Sequence, residues 1–313
     1  MTTYPTRSKE TAEHVLIVGS MAFDDLELPS VNAKDVVGGA ATYAAYAASL
    51  FSPVRIVAVV GEDFPTAVLE ELTARDVDVA GVERAKGKTF RWAGRYAANL
   101  ASRETLDTQL NVFADFRPKL PQSFVDSPFV LLGNIQPQLQ LDVLSQIKAP
   151  RFVAADTMNF WISGERKKLG EVLAKIDTLM INDEELRQLA DIHNIRRAAA
   201  EVLKLGPKRL IVKRGEYGAM LFDKDGVFFT PAYPLEEEID PTGAGDSFAG
   251  ALLGYLAAAG TIDGPTLRRG LRLASAVASF CVEGVGAAKL KNVQRADVMM
   301  RLEALRSITK TGG

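Results

Sequence analysis

Asp240-Pro241-Thr242-Gly243-Ala244-Gly245-Asp246-Ser247-Phe248-Ala249-Gly250 sets glycines, small residues and two acids into one short stretch. The apolar run Ala251-Leu252-Leu253-Gly254-Tyr255-Leu256 follows at once. A glycine turn that opens a helix points unpaired backbone N–H groups, and the positive end of the helix dipole, at one spot. Such a spot binds anions, phosphate above all. A carboxylate in the first turn of that helix would repel a phosphate at rest. Asp246 makes sense there as a base beside a phosphate in transit.

Three further stretches carry chemistry. Gly38-Gly39-Ala40-Ala41 opens a second helical pattern, where paired glycines serve either close backbone approach to a ligand or plain packing. Asn182-Asp183-Glu184-Glu185 lies at a strand end and helix start, and Asn182 is there either a ligand contact or a helix cap. Lys213-Arg214-Gly215-Glu216-Tyr217-Gly218-Ala219 is a glycine turn between strands. Two look-alikes fail on spacing. Gly87-Lys88-Thr89 resembles the end of a P-loop, but the glycine that motif needs five residues earlier is Val82. Gly243-Ala244-Gly245 resembles the start of a dinucleotide fingerprint, but its third glycine is Phe248.

The elements that position these residues read as an alternation. Buried strands are expected at His14–Gly19, Arg55–Gly61, Phe129–Gly133, Phe152–Asp156, Thr178–Asn182 and Arg209–Lys213. Helical patterns lie at Ala40–Phe51, Ala67–Arg75, Leu139–Ile147, Asp183–Asp191 and Ala198–Leu205. Continuous apolar strands are covered on both faces, which suits a mostly parallel sheet between helical layers. Asp156, Asn182 and Lys213 end their strands, where open α/β sheets hold ligands. Asp24–Val37 and Gly87–Phe113 break the alternation, and the aromatic–polar pattern of Phe90-Arg91-Trp92-Ala93-Gly94-Arg95-Tyr96 fits exposed strands. Both segments read as a small β lid, or else as an edge hairpin. No linker or repeat divides the chain, so 1–313 is expected to be one domain with the lid inserted at about 24–37 and 87–113.

Composition narrows the classes. The chain has 313 residues, 47% of them hydrophobic, enough for a large core. A net charge of −2 leaves no electrostatic footprint for nucleic acid or an anionic membrane. The single cysteine, Cys281, excludes an internal disulfide and reads as a buried helix position. His14 and His193 lie far apart and suggest neither a metal pair nor a triad. The polar start, Met1 to Glu13, lacks a signal-peptide core and is expected to fray, and no run is long enough to span a bilayer. A cytoplasmic location is the expectation.

In order and spacing these motifs resemble the ribokinase-like kinases, the phosphofructokinase-B family, over about Val15 to Gly286. The resemblance implies a three-layer α/β/α fold with a mostly parallel central sheet and a β lid. It implies ATP-dependent phosphorylation of an alcohol on a sugar or nucleoside. By the same resemblance Asp246 is the catalytic base, and the amides of Gly243, Ala244 and Gly245 form the anion hole. Asn182 and Glu185 match an Asn-x-x-Glu pattern that places phosphate and orders water around Mg²⁺. Lys213, Gly215 and Gly218 match the turn lining the nucleotide, and Asp24 the acid that grips substrate hydroxyls. Gly38 and Gly39 match the paired glycines at the substrate, and Asp240 and Thr242 lie where several members hold a monovalent cation such as K⁺.

Two positions depart from ribokinase. Four residues past the second glycine, where it has a substrate asparagine, stands Tyr43, and in place of its substrate lysine stands Ala40. Both changes count against free ribose. Asp156 and Asn159 lie at the expected pocket rim as substrate contacts or as turn and packing residues. Phe90, Trp92 and Phe113 would cover a substrate, fill the lid or clasp a second subunit. The expected function is a kinase acting on a sugar hydroxymethyl group, with a nucleoside kinase as the alternative. A non-enzymatic sugar sensor is disfavoured by the intact base and glycine turn.

Overall fold

The computed structural model describes residues 12–310. The polar start expected to fray lies almost wholly outside them. Among the described residues thirteen strands divide into two sheets. The larger contains β1 (Val15–Val18), β4 (Val54–Val60), β5 (Val77–Arg84), β8 (Phe129–Leu132), β9 (Phe152–Asp156), β10 (Thr178–Asn182), β11 (Arg209–Lys213), β12 (Ala219–Asp223) and β13 (Gly226–Thr230). Its order is β13-β12-β11-β10-β9-β8-β1-β4-β5. From β5 to β11 every pairing is parallel, and the β11–β12 and β12–β13 pairings are antiparallel.

The apolar strands serve two cores at once. Val15 and Ile17 of β1 enter one cluster, with residues of helices Ala40–Ala48, Ala244–Ala259 and Gly264–Val282. Leu16 and Val18 enter the other, with helices Pro137–Gln146, Arg166–Leu173, Asp183–Ala190 and Ile195–Leu203. Alternate side chains of a strand point to opposite faces, so a strand between two helical layers must be apolar throughout. Full burial of each such side chain is worth about 1.5–3 kcal/mol.

One helix contact bears directly on the glycine turn. Helix Ala44 and Ala48 backbones lie against Gly250 and Gly254 of helix Ala244–Ala259, where a Cβ on Gly254 would come 2.6 Å from the Ala48 carbonyl oxygen. Larger residues would push that helix, and the turn at its start, away from helix Ala40–Ala48.

The smaller sheet has the order β3-β2-β6-β7, formed by β2 (Ala22–Glu27), β3 (Asn32–Gly38), β6 (Phe90–Tyr96) and β7 (Arg103–Gln109). The two chain segments meet as a parallel pair, β2 with β6, and each adds an antiparallel neighbour. Its own buried cluster is only Leu26, Leu28 and Tyr96, with Trp92, Val36, Leu100 and Val285 packed against it. Trp92 covers Gly94 of its own strand, and Phe90 stacks on Phe113 (5.4 Å), which stacks on Phe116 (5.6 Å). Phe113 lies in the 3-10 turn Asn111–Asp115, not in a strand. These aromatics fill the lid and its root.

Sequence and structure differ at β5, which the apolar-run criterion passed over. Its burial alternates because it is an edge strand. Helix Ile195–Leu203 starts three residues before the expected Ala198, because the Asn194 side chain accepts from the Arg197 amide and caps it. Helix Ala40–Ala48 stops before the expected Phe51. Cys281 is buried in helix Gly264–Val282 as expected. Among the described residues no helix is long and apolar enough to cross a membrane.

Candidate active site

Strands β9, β10 and β11 deliver Asp156, Asn182 and Lys213 from neighbouring positions at their C-terminal ends. The Lys213 Nζ donates to Asp156 Oδ2 at 2.5 Å, and Asp156 Oδ1 accepts from the Thr157 amide at 2.8 Å. Lys213 sits beside the glycine turn at the start of helix Ala244–Ala259. Its Nζ lies 3.0 Å from the place a Cβ on Gly245 would occupy. Burial pushes the Lys213 ammonium down, but Asp156 and Glu185 outweigh it and hold it above the ordinary lysine range.

The turn has the form the sequence anticipated. Gly243 is the N-cap of helix Ala244–Ala259 with φ 76, a left-handed conformation that suits glycine. No side chain caps the helix, and Asp246 stands in its first turn. The Ala244 amide donates to the Pro241 carbonyl at 3.2 Å, so that donor of the expected anion hole is engaged. Gly243 and Gly245 amides meet no acceptor among the described residues. Burial, then the Asp156 charge, pushes Asp246 up to about 6, against the pull of Lys213 and Arg103.

Asn182 and Glu185 satisfy both readings of their motif. They form a capping box: the Glu185 amide donates to Asn182 Oδ1 and the Asn182 amide to Glu185 Oε2, each at 2.8 Å. The box engages one Glu185 oxygen, and burial and Asp156 raise this carboxyl to about 7 while Lys213 opposes. Gly215 and Gly218 bracket the 3-10 turn Gly215–Tyr217 between β11 and β12.

Asp240 is fully buried. Its Oδ1 accepts from the Thr242 amide (2.9 Å) and its Oδ2 from the Gly286 amide (2.7 Å), with no cationic side chain paired to it among the described residues. Asp24 of β2 is 4% exposed and packs against Gly38, where any side chain would collide with its carboxylate. Burial, with Asp240, Asp246 and Asp25 adding, raises Asp24 to about 8. Gly39 (φ 91) caps helix Ala40–Ala48 and passes over the Ser20 backbone.

Tyr43 is placed differently from the other pocket candidates. It is 1% exposed, and its ring lies under Gly243, where a Cβ would strike it. Its hydroxyl is buried without a hydrogen-bond partner. Tyr43 is the floor of the glycine turn. Asn159 is exposed, and its Oδ1 accepts from the neighbouring Phe160 amide, the local-turn half of its reading.

The structure adds two lid residues that sequence reasoning missed. The Tyr96 hydroxyl shares a hydrogen bond of 2.9 Å with Thr242 Oγ1, tying β6 to the phosphate turn. Arg103 of β7 lies over Trp92 and exerts its charge on Asp24, Glu185 and Asp246. Neither carries a local signature; an arginine in an exposed strand reads as solvated surface.

Comparisons with known proteins place the family and the fold. The model of the pfkB family carbohydrate kinases matches residues 13–293. A cytidine kinase of Thermococcus kodakarensis is 29% identical over 248 residues, 77% of this chain and 88% of that protein. Arabidopsis thaliana ribokinase complexed with ribose and ATP superposes with a TM-score of 0.75 at 22% identity, covering 94% of this chain and 99% of the other. A Burkholderia thailandensis nucleoside kinase in complex with inosine gives 0.73 at 22% identity, with coverages of 94% and 99%. The chain belongs to the pfkB family of carbohydrate kinases.

Proposed function

We propose that this pfkB-family kinase transfers the γ-phosphoryl group of ATP to a hydroxymethyl group on a sugar, with Asp246 as general base. The observation that carries the proposal is Asp246 in the first turn of a helix whose opening amides at Gly243 and Gly245 are uncapped. Fixed N–H donors stabilise charge where it develops on the transferring phosphoryl group. Phosphoryl transfer asks chiefly for in-line positioning and neutralised oxygens. Asp246, raised to about 6, accepts the hydroxyl proton late in transfer at neutral pH. Asp24, buried against Gly38, grips acceptor hydroxyls from the lid side.

Mg²⁺ fits the site. It commonly takes one or two carboxylates plus substrate phosphates and waters, without an all-protein cage. Glu185, with one oxygen held by its capping box, supplies such a carboxylate through water. Bound there, the ion neutralises phosphate oxygens. The buried Asp240 carboxylate, unpaired with any cationic side chain among the described residues, fits a monovalent cation beside Thr242. Replacing K⁺ by choline in the assay and in nucleotide titrations tests that assignment.

A nucleoside acceptor is the second reading, favoured by the cytidine kinase that matches 77% of the chain. Both readings present a sugar hydroxymethyl group to the same base. ADP release measured across free sugars and nucleosides decides between them. Ribose is expected to rank low, since the positions holding it in ribokinase are Tyr43 and Ala40 here. No acceptor-dependent ADP from any panel member would overturn the proposal.

A further inference from the structure

Lys213 and Asp156 pair 57 residues apart in sequence, inside the phosphate site, and a buried ion pair needs a reason. Such pairs add little stability over apolar residues of similar size, because desolvation offsets their attraction. Lys213 also has donors to spare. An ammonium has three N–H groups, and Asp156 is the acceptor its Nζ meets among the described residues. The remaining donors lie beside Gly245, whose missing side chain leaves room for Nζ at the uncapped helix start. Glu185 and Asp246 are further carboxylates acting on this ammonium. With Asp156 they would repel a polyanionic nucleotide, and one cation in contact with the turn offsets part of that repulsion where the phosphoryl group sits.

We propose that Lys213 is a catalytic residue that contacts the transferring phosphoryl group, and that Asp156 is the positioning residue that holds Lys213 charged and against Gly245. The inference rests on the kinase reading above and assigns Asp156 away from the substrate. In the step, the acceptor oxygen bonds to the γ-phosphorus and the bond from that phosphorus to the β–γ bridging oxygen breaks. ADP leaves with the electron pair, and the acceptor proton passes to Asp246. Lys213 donates hydrogen bonds to the equatorial oxygens throughout and loses no proton.

The test compares Lys213→Met, Lys213→Arg, Asp156→Asn and the double variant Lys213→Met/Asp156→Asn. Each is measured for kcat, KM and melting temperature, and for calorimetric affinity toward ATP, ADP and AMP with Mg²⁺. Lys213→Met is expected to lower kcat by about 10²–10³, the usual cost of one stabilising donor. It should weaken ATP by roughly 10-fold or more, as for hydrogen bonds to charged groups, and leave AMP unchanged. Lys213→Arg should restore part of the ATP affinity. Asp156→Asn is expected to lower kcat about tenfold by misplacing Lys213, without raising KM for ATP. If Lys213→Met fails to fold, the double variant, which removes both charges together, gives the same readings. Equal loss across ATP, ADP and AMP, or lowered melting with unchanged kcat and affinities, would overturn the inference. Absence of turnover in the wild-type enzyme would sink the kinase reading instead, and the nucleotide series would still decide the role of Lys213.

Discussion

The two halves of the site are built to different standards. The phosphate half stands on three adjacent buried parallel strands and on a helix whose glycines press it against its neighbour. Its groups are held by a capping box, backbone amides and a short ion pair. The lid half is a four-stranded sheet whose own buried cluster is Leu26, Leu28 and Tyr96, and β7 is exposed along its whole length. It meets the phosphate half through the Tyr96–Thr242 hydrogen bond and the field of Arg103. Chemistry that must not vary is set in a rigid core, whereas a sheet with so little core can open or retilt at small cost. Asp24, proposed to grip the acceptor, belongs to that second half.

The largest expected effect tests the rigid half. Asp246→Asn removes the proton acceptor and keeps the packing, so kcat should fall by about 10²–10⁴ with ATP affinity little changed. In the wild type, kcat/KM should drop as pH falls below about 6, where Asp246 protonates, and this limb should vanish in the variant. Turnover near the wild-type level with lowered stability would make Asp246 a cap and erase the contrast between the halves.

Asp24→Asn probes the acceptor half. We expect kcat/KM for the acceptor to fall by roughly 100-fold, as when a buried polar group loses its matched partner, while ATP affinity holds. Stability should move the other way. The folded Asp24 carboxyl lies near 8, above its unfolded value, so its contribution is complete below about pH 4 and is lost as pH rises through 8. The asparagine variant should therefore gain melting temperature relative to wild type at pH 8.5 more than at pH 5. An equal difference at both values would show that Asp24 is not held protonated by the fold.

Tyr96→Phe breaks the contact between the halves. A severalfold rise in acceptor KM is expected, with a stability change of about 1 kcal/mol or less. Hydrogen exchange in β6 and β7 should quicken with no change at β10 and β11; faster exchange in both sheets would refute a latch confined to the lid. The smallest effect belongs to Tyr43→Phe. Its hydroxyl is buried and unpartnered, so removal should leave turnover intact and stability equal or higher by about 1 kcal/mol. A large loss of acceptor affinity would return Tyr43 to the substrate pocket.

Legibility followed the range of the interactions. The bounds of β9, β10 and β11 are those expected from the sequence, because a fully buried strand writes its environment into every residue. The half-exposed β5 and the cap of helix Ile195–Leu203 escaped, since an alternating edge strand resembles an ordinary surface segment and one asparagine among polar residues marks no boundary by itself.

By itself the sequence determined the glycine turn, Asp246 in the first turn of its helix, the Asn-x-x-Glu box and the ends of the buried strands. Each depends on residues within a few positions of one another, where backbone geometry leaves few alternatives. Only the tertiary structure decided that Lys213 answers Asp156, that Tyr43 supports Gly243 from beneath, that Tyr96 reaches Thr242 and that Arg103 bears on three carboxylates. Those partners are separated by tens to hundreds of residues. Side-chain type says what each can pair with, but strand order and helix packing choose the partner.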